Sequence, residues 1–274
     1  MPTFAENLHA WDKWYDWPAG GDEWSAQFGG TESLWWFILY PRIHRFLPAS
    51  TILEIAPGYG RWTQFLKAHC RSMIAVDISE KCIERCKARF ASDNHIQYHV
   101  NDGTSLDAIP DGSIDFVFSF DSLVHAEKDV IEGYLTQLAR KLTPDGVGFF
   151  HHSNIGAYPR RLAVLEFCRR RLPPFVGQRL LTEKRVEALL SINASGWRAT
   201  SMSGEVFRQC CEAAGLKCIS QELISWTKGK CQIDCISVFA KPLSSWPVKK
   251  VPFVNDYFLE GASDASRLAQ LYCR

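Results

Sequence analysis

Three observations predict an α/β fold with a mostly parallel sheet covered by helices on both faces. From residue 51 to 153, short β-branched runs alternate with segments whose apolar residues recur at helical spacing. Several of the runs end in glycine, aspartate or another turn residue. The chain has 274 residues, 46% apolar and 22% charged, an ordinary globular composition that suits one large domain. Parallel strands need long crossovers, and a helix in each crossover covers one face of the sheet.

The elements follow in order. "TILEIAP" is the first strand and ends at Pro57-Gly58, and "RWTQFLKAHC" continues with helix-forming residues. "MIAVDIS" is the second strand, and Ser79 caps the helix "EKCIERCKARF". "HIQYHVND" and "SIDFVFSF" are the third and fourth strands. "DVIEGYLTQLARKL" has apolar residues at 131, 134, 135, 138 and 142, which predicts a helix that "TPDG" stops. "VGFFHHS" is the fifth strand. Pro159, Pro173-Pro174 and many arginines then break the pattern over 156–200. "GEVFRQCCEAAG" reads as a helix, and "LKCISQELISW" and "CQIDCISVFAK" as a closing antiparallel pair. The expected organisation is an aromatic-rich helical segment over 1–50, a main domain over 51–241 with an insertion at 156–200, and a tail at 242–274 without a legible pattern.

Net charge is +1, so average charge does not point to nucleic acid. The N-terminus has neither a basic start nor a long apolar run, so no signal peptide is expected. The longest apolar stretch, "LWWFILYP", is far below the roughly 18 residues a membrane span needs. Ten cysteines show no CxxC and no regular framework, which disfavours zinc and fits a reducing, cytoplasmic setting.

In an open parallel sheet, ligands bind at the carboxyl ends of the strands. "LEIAPGYGRW" is the first such end, where Gly58 and Gly60 permit a tight turn and close backbone approach. Asp77 ends the second strand and offers a carboxylate to two ribose hydroxyls; Asp102-Gly103 ends the third. A dinucleotide fingerprint would need glycine at 63, where Thr63 stands. Glu54 beside the turn suits an ammonium better than a pyrophosphate, so the expected ligand is a nucleoside without phosphates.

Five segments, "LEIAPGYGRW", "AVDIS", "NDGTSL", "IDFVFSFDSLVHAE" and "DGVGFFHHSN", resemble in order and spacing the motifs of class I S-adenosylmethionine-dependent methyltransferases. The resemblance is strong over 51–154 and extends to 203–241. It implies a Rossmann-like seven-stranded sheet with its last strand antiparallel. It also implies Glu54, Gly58 and Gly60 around the methionine part, Asp77 with Ile78 at the ribose, and Asp102, Gly103 and Phe120 around the adenine and the strand ends. The sequence departs from the family at Ala56-Pro57, where many members have glycine near 56.

"FSFDSLVHAE" follows the fourth strand. On a helix Asp121 and His125 share one face, one turn apart. His125 has the pKa range of a general base, and Asp121 is suited to orient it or the substrate; a helix cap and a surface histidine are the plainer alternative. "DSLVH" is similar to phosphoethanolamine methyltransferases, where the histidine is assigned a base role with an N-terminal tyrosine; Tyr15 would be that partner. In "FFHHSN", alternation sends one of His151 and His152 towards the site. His152 is expected as a base or substrate contact. By similarity to catechol-type enzymes, Asp121, His152 and Asn154 form a candidate Mg²⁺ set, although Mg²⁺ prefers oxygen ligands.

Residues 8–50 hold seven Trp and Tyr residues that matter here, Trp11, Trp14, Tyr15, Trp17, Trp24, Trp35 and Trp36, which suit either a lid whose ring faces cover a sulfonium or a plain helical layer. The insertion has nine Arg and Lys against three Glu over 156–200, a local excess of six positive charges (9 − 3). That excess suits an anionic or phosphorylated acceptor, or only a solvated face. The expectation is S-adenosylmethionine-dependent methyl transfer to a hydroxyl of a small polar acceptor, first a sugar or sugar-containing metabolite, with histidine as base. The runner-up is a small amine or phosphobase. A nicotinamide oxidoreductase and a non-catalytic cofactor-binding protein are the alternatives of other classes. Nucleic acid is not expected, and a second copy of the chain is an admissible partner.

Overall fold

The computed structural model describes residues 4–171, 198–226 and 231–271. Eight strands form one sheet: β1 (Ala49–Ile55), β2 (Cys70–Asp77), β3 (Ile96–Val100), β4 (Ile114–Ser119), β5 (Leu142–Ser153), β6 (Lys217–Ser225), β7 (Gln232–Ala240) and β8 (Phe253–Asn255). The order is β3-β2-β1-β4-β5-β7-β6-β8. β1 to β5 pair in parallel, β7 runs against both β5 and β6, and β8 is parallel to β6. This is a Rossmann-like sheet whose strand order reverses between β1 and β4, which opens a crevice at their carboxyl ends.

Seven strands were expected, and the eighth comes from the tail. Phe253 to Asn255 pair with Glu222 to Ile224 of β6, and the helix Phe258–Gln270 follows. A three-residue edge strand has too little alternation to be read locally; its pairing is decided by the edge that β6 leaves open. "TPDG" also differs from expectation. The helix Lys128–Lys141 gives way directly to β5, whose register with β4 shifts between Ile114 and Phe116.

The alternation of strand residues sets two core layers. Phe116, Phe118 and Phe149 face the layer of Leu34, Trp35, Ile38 and Ile43 from the N-terminal helical segments. Val117 and Phe150 face the other layer, with Tyr134, Leu135 and Leu138 of Lys128–Lys141 and Phe207 of the helix Gly204–Ala213. Each helix buries one apolar stripe, as helical spacing demands. The N-terminal part is a chain of short pieces: Phe4–His9, Ala10–Trp14, the 3₁₀ segment Asp22–Phe28, then Thr31 to Phe46. Of the basic insertion, the helix Pro159–Arg171 is described, while 172–197, including Arg179, Lys184 and Arg185, lie outside the described residues.

Candidate cofactor and acceptor cavities

Two cavities open at the carboxyl ends of β1 and β4. The first, about 440 Å³, is lined by Ile55, Ala56, Gly58, Asp77, Ile78 and Gly103, among others. The second, about 680 Å³, has Phe28, Phe120, Val124, Arg198 and Trp226 in its wall. Trp11, Trp24, Asp121 and His125 line both.

The loop after β1 is built by conformations that side chains resist. Ala56 has φ +58, Gly58 +59 and Gly60 +86. A Cβ at Gly58 would stand 2.7 Å from the Trp17 ring, and one at Gly60 would stand 2.4 Å from Phe90. Ala56 occupies the left-handed region that glycine adopts without strain, at a cost of about 1–2 kcal/mol. Trp17 stacks on Tyr59 at 4.5 Å and 9°, so the N-terminal segment is clamped onto this loop.

Asp77 is buried, and its Oδ1 accepts from Ser79 N (2.9 Å) and its Oδ2 from Gly58 N (3.1 Å). Burial pushes the carboxyl up to about 6, against those hydrogen bonds. Each oxygen keeps a lone pair for a ribose hydroxyl. Glu54 is buried too; burial, and to a lesser extent the neighbouring Asp77, raise it to about 8, although Thr63 Oγ1 donates to its Oε2 at 2.5 Å. Its Oε1 has no hydrogen-bond partner. Arg61, which the sequence reading passed over, is 5% exposed and donates from Nη2 to Asp121 Oδ2 at 2.8 Å. Its Nη1 is buried and unpartnered. The guanidinium lies 4.5 Å from the Trp62 ring and 5.5 Å from that of Trp24. An arginine directly after the glycine turn was the available signal.

Asp121 and His125 do come to one place, but not on a regular helix. Asp121 has φ +68, and Leu123–His125 is a single 3₁₀ turn whose cap, Ser122, makes no side-chain capping bond. Asp121 is therefore a partner of Arg61 and no helix cap. The His125 ring sits 5.4 Å from that of Trp11.

Four expectations are corrected. His152 faces away from both cavities: its ring stacks on Phe207 at 4.5 Å and its nitrogens meet Ser153 O and Ser237 Oγ, both at 2.8 Å. Burial holds it down to about 4. Pleating instead turns His151 towards the site, where Asp121 N donates to its Nδ1 at 3.2 Å and Phe120 stacks on it at 4.5 Å. Asn154 accepts from Gly204 N and donates to Gln232 O, so Asp121, His152 and Asn154 do not converge on a metal. Among the described residues no group of three His, Cys, Asp or Glu is arranged to hold one. Tyr15 Oη donates a hydrogen bond to Glu23 Oε1 at 2.7 Å, and burial together with Glu23 raises it to about 12, so the phenol keeps its proton at neutral pH. Asp102 caps its own turn through Thr104 N and Ser105 N, and it lines a separate cavity of about 280 Å³ while Gly103 reaches the first one.

Sequence reasoning also missed Asp234. It is fully buried on β7 and accepts from Arg198 Nε (2.6 Å), Arg198 Nη2 (2.8 Å) and Trp226 Nε1 (2.6 Å). Burial would raise its pKa, but Arg198 outweighs burial and holds it well below the usual range. His151 Nε2 stands 3.5 Å from it. The signal was an aspartate inside an apolar strand, since a buried carboxylate requires partners.

Comparison with known proteins agrees with this architecture. Residues 52–146 match the family model described as Methyltransferase domain. A methyltransferase of Claviceps purpurea is 30% identical over 96 residues, covering 35% of this chain; the chain spans only 29% of that curated relative. A methyltransferase structure from Leishmania major superposes with TM-score 0.56 at 10% identity, over 86% of this chain and 82% of that one. A Pyrococcus horikoshii protein gives 0.54 at 16%, over 85% and 95%. The N-methyltransferase NodS of Bradyrhizobium japonicum, in complex with S-adenosyl-L-homocysteine, gives 0.53 at 15%, over 88% and 100%. The fold and the matched segment define the class: this is the class I S-adenosylmethionine-dependent methyltransferase fold. Residues 52–146 are the part of the chain that is similar to the Methyltransferase domain family.

Proposed function

We propose that the chain transfers a methyl group from S-adenosylmethionine to a hydroxyl of a small acceptor held in the second cavity. The observation that carries this reading is that the two cavities share Asp121 and His125. The residues present fit the cofactor. Asp77 has lone pairs for the ribose, and the unpartnered Glu54 Oε1 and Arg61 Nη1 match an amino acid's ammonium and carboxylate. S-adenosylmethionine bound there supplies an electrophilic methyl group. Arg61 fixes Asp121 as the partition between the cavities, His125 takes the hydroxyl proton, and the Trp11 and Trp24 rings exclude water.

An amine acceptor is the second reading, favoured by the Trp11 and Trp24 faces and by the N-methyltransferase among the structural neighbours. A cytoplasmic setting belongs to the same proposal, supported by nine described cysteines without a disulfide. Among the described residues no helix is long and apolar enough to cross a membrane.

Calorimetric titration with S-adenosylhomocysteine and with NADH tests the reading. Binding of the former alone, lost in Asp77→Ala, is the expected result; binding of NADH alone overturns it. In His125→Asn, S-adenosylhomocysteine binding should persist, and an acceptor hydroxyl should lose its methylation at neutral pH.

A further inference from the structure

We infer that the Tyr134 hydroxyl reads the nucleobase of the cofactor, donating a hydrogen bond to one ring nitrogen of adenine; this rests on the methyltransferase reading and deepens it. Methyl transfer into the second cavity requires the sulfur end of the nucleoside at Asp121, where the two cavities meet. With the ribose at Asp77, the base is left the other end of the first cavity, walled by Val76, Ile78, Gly103, Val130 and Tyr134. Asp102, expected at the adenine, has its carboxylate turned into its own loop.

The polarity of the Tyr134 hydroxyl is set by Asn101. Asn101 N donates to Asp77 O at 3.0 Å, which keeps it beside the residue that offers a carboxylate to the ribose. Its side-chain amide can sit only one way round. Oδ1 accepts from Gly103 N at 3.2 Å, and Nδ2 donates to Ser105 O at 2.9 Å. A flipped amide would set donor against donor and acceptor against acceptor. The other hydrogen of Nδ2 therefore goes to Tyr134 Oη, at 3.1 Å. A hydroxyl that accepts from Asn101 has its own hydrogen to give, and none of the bonds among the described residues takes it. Tyr134 is 3% exposed, so a hydrogen left without an acceptor there costs free energy. Burial raises the phenol's pKa against the opposing bond from Asn101, so the hydrogen stays in place at neutral pH. Adenine's ring nitrogens are acceptors, the complement of this donor.

The phenol is mounted on a stiff frame. Gln137, on the same helix Lys128–Lys141, accepts from Leu106 N at 2.7 Å and donates to Thr104 O at 2.5 Å. Gly133 packs so closely on the same loop that a Cβ there would stand 3.0 Å from Thr104 Cγ2. Helix and loop are tied to each other, and the hydroxyl is held in advance where the base arrives, which spares the ordering cost of binding.

The test titrates four ligands calorimetrically into the full chain: S-adenosylhomocysteine and its 1-deaza, 3-deaza and 7-deaza analogues, each with one ring nitrogen replaced by C–H. At least one analogue should bind the wild type about tenfold or more weakly than S-adenosylhomocysteine does. In Tyr134→Phe, S-adenosylhomocysteine should lose that advantage over one such analogue and bind within about twofold of it. Asn101→Asp gives the hydroxyl a carboxylate to donate to and turns its hydrogen away from the base, so it should erase or reverse the same preference. The readout is a ratio of affinities, which a merely loosened site does not move, and should one variant fail to fold the other decides on the same ratio. Analogues that all bind the wild type as S-adenosylhomocysteine does, or a preference that survives in the folded variants, overturn the assignment and leave the methyltransferase reading standing. Failure of S-adenosylhomocysteine itself to bind the wild type removes the underlying reading, and the inference falls with it.

Discussion

Replacing Glu54 by glutamine isolates one buried proton. Burial raises the Glu54 carboxyl to about 8 from 4.5, and its Oε1 has no partner. At pH 7, one unit below that value, roughly nine molecules in ten carry the proton. A ligand ammonium beside Oε1 favours the ionised carboxylate, so cofactor binding at pH 7 should release roughly 0.9 proton from this group. Asp77, raised to about 6, is already mostly ionised at pH 7 and adds only about 0.1. Affinity should therefore rise by up to about tenfold per pH unit and level off above about pH 8. Titrating S-adenosylhomocysteine at pH 7 in phosphate and in Tris reads the proton count from the difference in heats. Glu54→Gln, which can still accept from Thr63, should lose nearly all of the release. Equal proton release by the wild type and the variant would refute the reasoning. The same shift has a sign for stability. Because the folded pKa lies above the unfolded one, the contribution of Glu54 to the cofactor-free protein is complete below about pH 4.5 and is lost as pH rises through about 8.

Gly58→Ala should weaken S-adenosylhomocysteine binding by at least about tenfold, because its Cβ would meet the Trp17 ring at 2.7 Å and stay at φ +59; tryptophan fluorescence should report the displaced ring. Ala56→Gly should do the opposite to stability, relieving a left-handed alanine and raising the urea midpoint by an amount worth about 0.5–1 kcal/mol. His152→Ala should lower stability by about 2 kcal/mol or more through the lost Phe207 stack and Ser237 bond, and leave the pH profile of turnover unmoved. EDTA should leave turnover unchanged, since the Asp121, His152 and Asn154 side chains are committed elsewhere.

Local pattern carried the central β/α units. β-Branched runs, helical spacing and the Ser79 cap are one-dimensional signals, and Ser79 Oγ does accept from Cys82 N as a cap should. Part of the first cavity was legible for the same reason: a glycine turn after β1 and a carboxylate closing β2 are fixed by their strand ends, and Gly58, Asp77, Ile78 and Gly103 line it, while Glu54, Gly60, Asp102 and Phe120 do not. The choice between His151 and His152 was not legible. Pleating requires adjacent residues to face opposite ways, but which one faces the site depends on the register of β5 against β4 and β7. Tyr15 lay too far along an irregular segment for spacing to show that Glu23 would accept its hydrogen bond.

The sequence by itself determined the fold class and four of the residues that gather at the first cavity, because both rest on short-range periodicity and on residues at strand ends. Only the tertiary structure decided the second cavity. Trp11 and Glu23 from the N-terminal segment, Arg198 from the edge of the insertion and Trp226 at the end of β6 are brought together there, and Asp234 from the middle of β7 holds two of them in place. Their separations in sequence carry no periodic signal. What joins them is a buried carboxylate that has to be neutralised, and its partners can be named only once the sheet is folded.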